Sequence, residues 1–433
     1  MPKIKIYESD LTTAGGLNAS SNVVYIPGFA KHINSKYATG GKYEITFPHQ
    51  FNSVDEFKEV FSNEDGKFEY ITLKEEIDGK TYNVKVERSM QYALAVLQAG
   101  LPILYDFIST VEDNSSEEDV LIPLISNKIN SDRLNKLVDK NNYDVKFITT
   151  GGYANYGGSG GSINLGQIML DVAAARGDCT ALIDHPENLG FETVSKLFET
   201  SNLVNGKFGA MFTPWCTFEF PTYQVFDIPD NGIRKLAPIN MPGSLAYLLA
   251  FGTSVSNNNA NWLAAAGAAR GIIPNLVAPL ENLTEAQIDE YSLANATKNY
   301  IGVAINPIAK INPYGTIVWG NRTLHKGTVG LVASSFLNIR QLCNDIKKTL
   351  YVACKSITFE QNSDILWVKF KSLITPLLDR MQTGDGIAGY ELKKKKTSKK
   401  ATLCAVIRIY PVEAVEDFDL TLELADEATS ITE

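Results

Sequence analysis

Gly157-Gly158-Ser159-Gly160-Gly161 sets a serine between glycines at the spacing of a hydrolase nucleophile turn, and Asp184-His185 supplies the other two side-chain types of an acyl-transfer triad. A nucleophile elbow needs a strained turn directly after a strand. Here Thr149-Thr150-Gly151-Gly152 intervenes and glycine recurs through Gly161, which is the composition of a pliable loop. A triad also needs three separated segments to converge, and none of the four histidines (His32, His49, His185, His325) lies in a matching motif. Asp184 to Pro186 therefore reads as the end of a buried strand running into a turn. A serine hydrolase is kept as the enzyme-class alternative, but no catalytic residue is expected.

Phosphate and metal chemistry find even less support. Gly79-Lys80-Thr81 lacks the earlier glycine of a phosphate loop, because the position five before Gly79 is Lys74. The nearest histidines, His32 and His49, are too far apart for ligation from one helix face. Glu112-Asp113 and Glu117-Glu118-Asp119 lack the glycine of a calcium loop and read as a solvated linker. No cofactor and no metal are expected.

The elements that must position these residues follow from composition and pattern. With 433 residues, 44% of them hydrophobic, the chain can build two or three domains with full cores. A net charge of −9 excludes broad contact with nucleic acid or an anionic membrane, both of which need a basic surface. The five scattered cysteines read as reduced core residues made in a cytosol. Met1 to Asp10 has no apolar core of a signal peptide, and no run approaches the ~18 apolar residues of a membrane span.

Residues 1–21 read as an arm, a short Lys3-Ile4-Lys5-Ile6 strand followed by a Thr/Gly/Ser link. From Asn22 onward, apolar strands (Val23 to Ile26, Val145 to Thr149, Cys179 to Ile183, Ile301 to Ile305, Thr316 to Trp319) alternate with helical runs (Val54 to Phe61, Met90 to Ala99, Asp132 to Lys140, Leu165 to Arg176, Asn261 to Ala269). That alternation predicts an α/β domain over 22–325, its mainly parallel sheet covered on both faces, with a hairpin inserted near 66–88. An α+β unit over 326–410 follows, with helices over Ser335 to Lys355 and Ser363 to Met381 and strands over Gly389 to Lys395 and Leu403 to Tyr410. In its second helix Ile365, Phe370, Leu373, Ile374, Leu377 and Leu378 form the expected apolar face, and Pro376 a kink or the start of the last turn. Residues 411–433 form a second arm whose strand alternates Phe418, Leu420, Leu422 and Leu424 with acidic and threonine residues.

Thr316-Ile-Val-Trp-Gly-Asn-Arg-Thr-Leu324 is the most specific run in the chain. It resembles the Trp-Gly-x-Arg-Thr-Leu signature of the sheath proteins of contractile phage tails and related injection machines. Several neighbours share the resemblance in order and spacing: Asn261-Trp262 with Ala264 to Ile273, Leu283 to Ile288, Val303 to Pro307, Phe336 to Arg340, and Gly384 to Tyr390. Val23 to Gly28, Ser53 to Phe61 and Arg176 to Pro186 extend it into the N-terminal half. Two positions depart from the family pattern: Asn321 replaces its alanine, and Gln341 its second arginine.

The resemblance implies a subtilisin-like, three-layer sheath domain followed by an α+β domain facing a tail tube, with both arms pairing to sheets of other subunits. It implies a mechanical function: polymerisation around the tube, then contraction that drives the tube through a host envelope for genome or effector delivery. Its implied partners are further copies in stacked hexameric rings, the tail tube protein, and baseplate and neck or terminator proteins. The implied location is a virion tail assembled in the host cytoplasm. Trp319, Gly320, Arg322, Thr323, Asn338 and Arg340 form the signature, to which a fold-holding role at the domain junction is assigned. Trp319 is expected to fill the core, and Arg322 to bond loop carbonyls or an acidic group. Lys347, Lys348, Lys355, Lys394 and Lys395 are the cations expected to face the tube. Two alternatives remain open: the arms fold back on their own domain, or the chain builds a static tube or shell.

Overall fold

The computed structural model describes residues 22–77, 80–113, 115, 120–129, 136–154, 164–187, 189–190, 192–194, 203–220, 226–227, 234–235, 238–293, 305–325, 332–397, 401–412 and 414. Both expected arm strands, Lys3 to Ile6 and Phe418 to Leu424, and the glycine loop around Ser159 lie outside them.

Val24–Ala30 (β1) is apolar and buried along its whole length, as a central strand covered on both faces must be. It is flanked by β5 (Ile103–Thr110) and β6 (Phe147–Ile148), both parallel to it. β7 (Thr180–Leu182) and β8 (Gly209–Ala210) continue the parallel set, and β2 (His49–Phe51) closes the far edge antiparallel to β5. The sheet thus runs β2-β5-β1-β6-β7-β8. The expected hairpin is present as β3 (Thr72–Ile77) and β4 (Lys80–Val86), paired from Thr72↔Val86 to Ile77↔Lys80.

Three of the helical runs expected in this region are present, and a fourth, Asp132 to Lys140, lies partly outside the described residues. α1 (Val54–Val60) begins where Ser53 Oγ accepts the Glu56 N–H at 3.2 Å. α2 (Arg88–Gln98) is capped by the buried Glu87 carboxylate, which takes the N–H groups of Ser89 (2.7 Å) and Met90 (3.1 Å). α3 (Ile122–Ile129), where the sequence pattern predicts no helix, and the expected α4 (Asn164–Arg176) come next. The fifth corrects an expectation. The helix placed over Asn261 to Ala269 is a turn followed by the short α6 (Gly267–Arg270), and the long helix is α5 (Gly243–Asn258), which ends at Asn259 in left-handed conformation. α5 is buried on nearly every side over Gly243 to Gly252, so no amphipathic period marks it.

Short strands complete this part. β9 (Phe212–Thr213) runs parallel to β15 (Asn306–Ile311), which pairs with β16 (Gly315–Val318). β10 (Cys216–Phe218) lies between β13 (Ile239–Met241) and β14 (Leu276–Pro279), and β11 (Phe226–Asp227) pairs with β12 (Arg234–Lys235). α7 (Glu285–Leu293) precedes β15. Of the strand expected over Ile301 to Ile305, only Ile305, which leads into β15, is among the described residues; 301–304 lie outside them.

The C-terminal part consists of α8 (Leu337–Ser356), α9 (Asp364–Thr383) and the antiparallel pair β17 (Ile387–Lys395) and β18 (Cys404–Pro411). α9 continues past Pro376 to Thr383. It buries Leu366, Phe370, Ile374, Leu378 and Met381, a set spaced three and four apart, whereas Ile365, expected on that face, is 79% exposed. Leu342, Ile346 and Leu350 of α8 pack with these residues and with Ile387, Ile407 and Ile409 into a second core, separate from the large one around the six-stranded sheet.

α8 joins the two cores. Its apolar stripe faces the second, while Gln341, Asn344, Asp345 and Lys348 form a buried polar stripe against the N-terminal edge of the sheet. Lys146 Nζ lies 2.7 and 2.9 Å from the two Asp345 oxygens, and its residue is only 1% exposed. Burial lowers the Lys146 pKa and Asp345 opposes that shift. Lys146→Met strands the Asp345 charge, so urea unfolding should show a loss of about 3–5 kcal/mol. Lys146→Met with Asp345→Leu should recover most of it.

Candidate functional site

The signature segment leaves β16 and crosses the N-terminal edge of the sheet to reach α8. Asn306, at the start of β15, organises it. Its Nδ2 donates to Met211 O and Arg322 O, each at 2.9 Å, and its Oδ1 accepts the Arg322 N–H at 2.6 Å. Gly320 passes so close that an added Cβ would stand 2.7 Å from the Asn306 backbone, which explains the glycine. Leu324 N–H then donates to Gly209 O (2.8 Å) at the start of β8, and Thr323 N–H to Ser335 O (2.9 Å) just before α8.

Asn321 and Asn338 meet edge to edge. Asn321 Nδ2 donates to Asn338 Oδ1 at 2.8 Å, and Asn321 Oδ1 accepts the Asn338 N–H at 3.1 Å. Asn321, a departure from the family pattern, therefore serves as the N-terminal partner of α8, holding an otherwise orphan helix N–H. The second departure has its own partner: Gln341 Nε2 donates to the buried Tyr247 hydroxyl. Both signature arginines place their guanidinium carbon over a ring, Arg322 4.7 Å from the Phe336 centroid and Arg340 4.9 Å from that of Phe208.

Two groups of expectations are corrected here. Trp319 does not fill the core: its residue is 40% exposed, whereas Ile317 and Val318 just before it are buried. The Arg322 guanidinium lies over the Phe336 ring, and its backbone is held by Asn306. Lys347 and Lys348 are not surface cations. Lys347 Nζ donates to Gly177 O (2.8 Å) at the C-terminal end of α4, where helix carbonyls want a cation, and Lys348 Nζ sits 2.5 Å from Asp144. Lys355, Lys394 and Lys395 are at the surface, with Lys394 2.7 Å from Asp364. Lys146 and Phe208 escaped the sequence reading, and Asn306 entered it only within Val303 to Pro307, with no role assigned; Lys146 carried a signal, a lone charge inside an apolar strand.

At the opposite end of the sheet, where α/β enzymes place their chemistry, Asp184 and His185 serve separate contacts. Asp184 accepts the backbone N–H of Ser244 at 3.2 Å and its hydroxyl at 2.8 Å, at the N-terminus of α5. His185 holds Pro186 O with Nδ1 (2.8 Å) and the Thr213 hydroxyl with Nε2 (2.9 Å), an arrangement for a neutral ring. Burial raises Asp184 from 3.8 to about 7 and lowers His185 from 6.5 to about 4.

No family model matches the chain, and no curated protein matches it in sequence. Solved structures do match over nearly its full length. The contracted sheath complex of an extracellular contractile injection system, PVC, shares 17% identity at a TM-score of 0.57, covering 98% of both chains. A chain of the six-fold symmetrised baseplate of the anti-feeding prophage gives 14% and 0.60, covering 98% of this chain and 99% of that one. The contracted helical sheath of the same prophage gives 13% and 0.57, with 98% of each chain covered. The chain has a mixed α/β fold with a mainly parallel sheet, and that fold is the one found in these contractile injection machines.

Three substitutions test the site. Asn321→Ala should cost about 1–2 kcal/mol in urea unfolding, the value of a lost helix cap. The other two concern the buried pair. Between about pH 4 and 6.5 folding protonates Asp184 and deprotonates His185, so their proton uptakes cancel. Asp184→Asn removes a term that weakens the fold as pH rises from about 4 to 7. Its stability relative to the parent should therefore climb by up to about 1.4 kcal/mol per pH unit in that window. His185→Gln removes a term lost as pH falls from 6.5 to about 4, so its relative stability should drop with rising pH over that span.

Proposed function

We propose that this protein is the subunit of a contractile sheath, a mechanical component that polymerises around a tube and shortens to drive it through an envelope. The observation that carries this reading is the full-length fold match to chains of contractile injection machines, two of them in contracted sheaths. In this reading residues 22–325 form the outward, subtilisin-like unit, 326–410 the tube-facing unit, and 1–21 and 411–433 the arms. Partners are further copies in stacked rings, a tube protein, a baseplate and a neck protein. The assembly is a virion tail or a related injection particle that carries genome or effectors.

The β17–β18 pair supports the arm model. Among the described residues neither outer edge has a partner strand, and unpaired edges are templates for added strands. About six backbone hydrogen bonds per added strand, at ~1 kcal/mol net each, make a joint that holds while lattices change. The basic Lys393 to Lys395 run on β17 suits the acidic face of Asp417 to Glu423.

Deletion of Phe418 to Glu433 should abolish sleeves in negative-stain electron micrographs while circular dichroism reports a folded monomer. Retained sleeves would refute the arm model, and particles of only one diameter from the full chain would favour a static tube.

A further inference from the structure

The turn at Asn261-Trp262 touches both places where the terminal segments join the fold. Asn22, the first described residue, donates from its Nδ2 to Asn261 Oδ1 at 3.3 Å. Val412, just past β18, donates its N–H to Gly386 O at 3.2 Å. Gly386 in turn lies under the Trp262 indole, so close that an added Cβ would stand 2.9 Å from the ring, and at Gly384 the same distance recurs. The indole N–H donates to Gly384 O at 2.8 Å, and Trp262 O accepts the Asn338 amide at 3.3 Å, at the start of α8. Trp262 packs on the second core, whereas Ala265, three residues on, belongs to the first. One turn therefore meets the root of the N-terminal segment, the root of the C-terminal segment, and both cores.

We propose that the Asn261-Trp262 turn is a common anchor, through which a pull on either terminal segment reaches both cores and the root of the other segment. Separate anchors would let each segment strain only the core it leaves. Here Trp262 has one face of contacts on the C-terminal root (Gly384, Gly386) and is continuous through Asn261 with the N-terminal root. The anchor is independent of what the segments bind, so it stands or falls apart from the sheath reading.

Hydrogen exchange of the full chain, read by mass spectrometry, tests it. Trp262→Phe keeps a ring over Gly386 but cannot donate to Gly384; Gly386→Ala pushes the ring off from the other side. Each should speed exchange roughly five-fold, the effect of about one lost hydrogen bond on a local opening equilibrium, in peptides covering both Asn22 to Ile26 and Gly386 to Leu392. Faster exchange at only one root, or at neither, would overturn the proposal. Trp262→Ala should enlarge the effect at both roots, and the two milder variants decide the question if it does not fold.

Discussion

The buried contact between Lys146 and Asp345 is the constraint around which the two halves are arranged. Lys146 sits at the N-terminal edge of the sheet, its N–H bonded to Val23 O at 2.8 Å and its carbonyl accepting from Thr180 at 2.9 Å, so its place is set by three adjacent strands. Asp345 sits mid-way along α8. An apolar contact would tolerate sliding and rotation of the helix; a desolvated ion pair does not, because any displacement leaves two charges without water or partner. The neighbouring contacts repeat the demand: Asn344 Nδ2 to Thr180 Oγ1 at 3.0 Å, Lys347 to Gly177 O, Lys348 to Asp144. The seam contributes orientation more than stability, a role for which buried polar contacts suit better than leucines.

The signature segment completes the seam from the other side. Asn306, Gly320 and the Asn321–Asn338 pair fix where the chain turns from β16 into α8, and the two arginines cover the joint with their guanidinium carbons over Phe336 and Phe208. Most of these residues point at one another and at backbone, with Trp319 turned outward. The segment is specific because each step of a tight, polar turn requires its residue, and that requirement is structural. The opposite end of the sheet is closed by Tyr92, Tyr105, Tyr153 and Trp215, all buried.

Much of this was legible in the sequence, for reasons that differ by element. β1, α1, α4, α8 and α9 carry apolar periods that match their burial, and the 72–86 hairpin follows from its turn residues. α5 was missed because a helix buried on most sides has no polar face to reveal a period. Ile365 was misplaced because helix phase drifts over several turns and only contacts fix which edge of a stripe is covered. Lys347 and Lys348 were read as surface charges since lysine is rarely buried; nothing local tells that Gly177 O and Asp144 lie opposite them. The signature residues were found, yet their partners were not, as Asn306 and Phe208 are distant in sequence.

These contacts also decide which parts of the chain can shift and which cannot. With α8 locked to the sheet edge by charge and to the second core by its apolar stripe, the two halves move as one body unless the seam opens, which strands several buried polar groups at 1–3 kcal/mol each. Softer places lie outside it. The β17–β18 pair reaches the rest chiefly through α9 and the Trp262 turn, and Asn22 and Val412 each donate a hydrogen bond there. A rearrangement of this chain would therefore begin at those contacts while the seam holds, since energy goes first into the contacts that cost least to change.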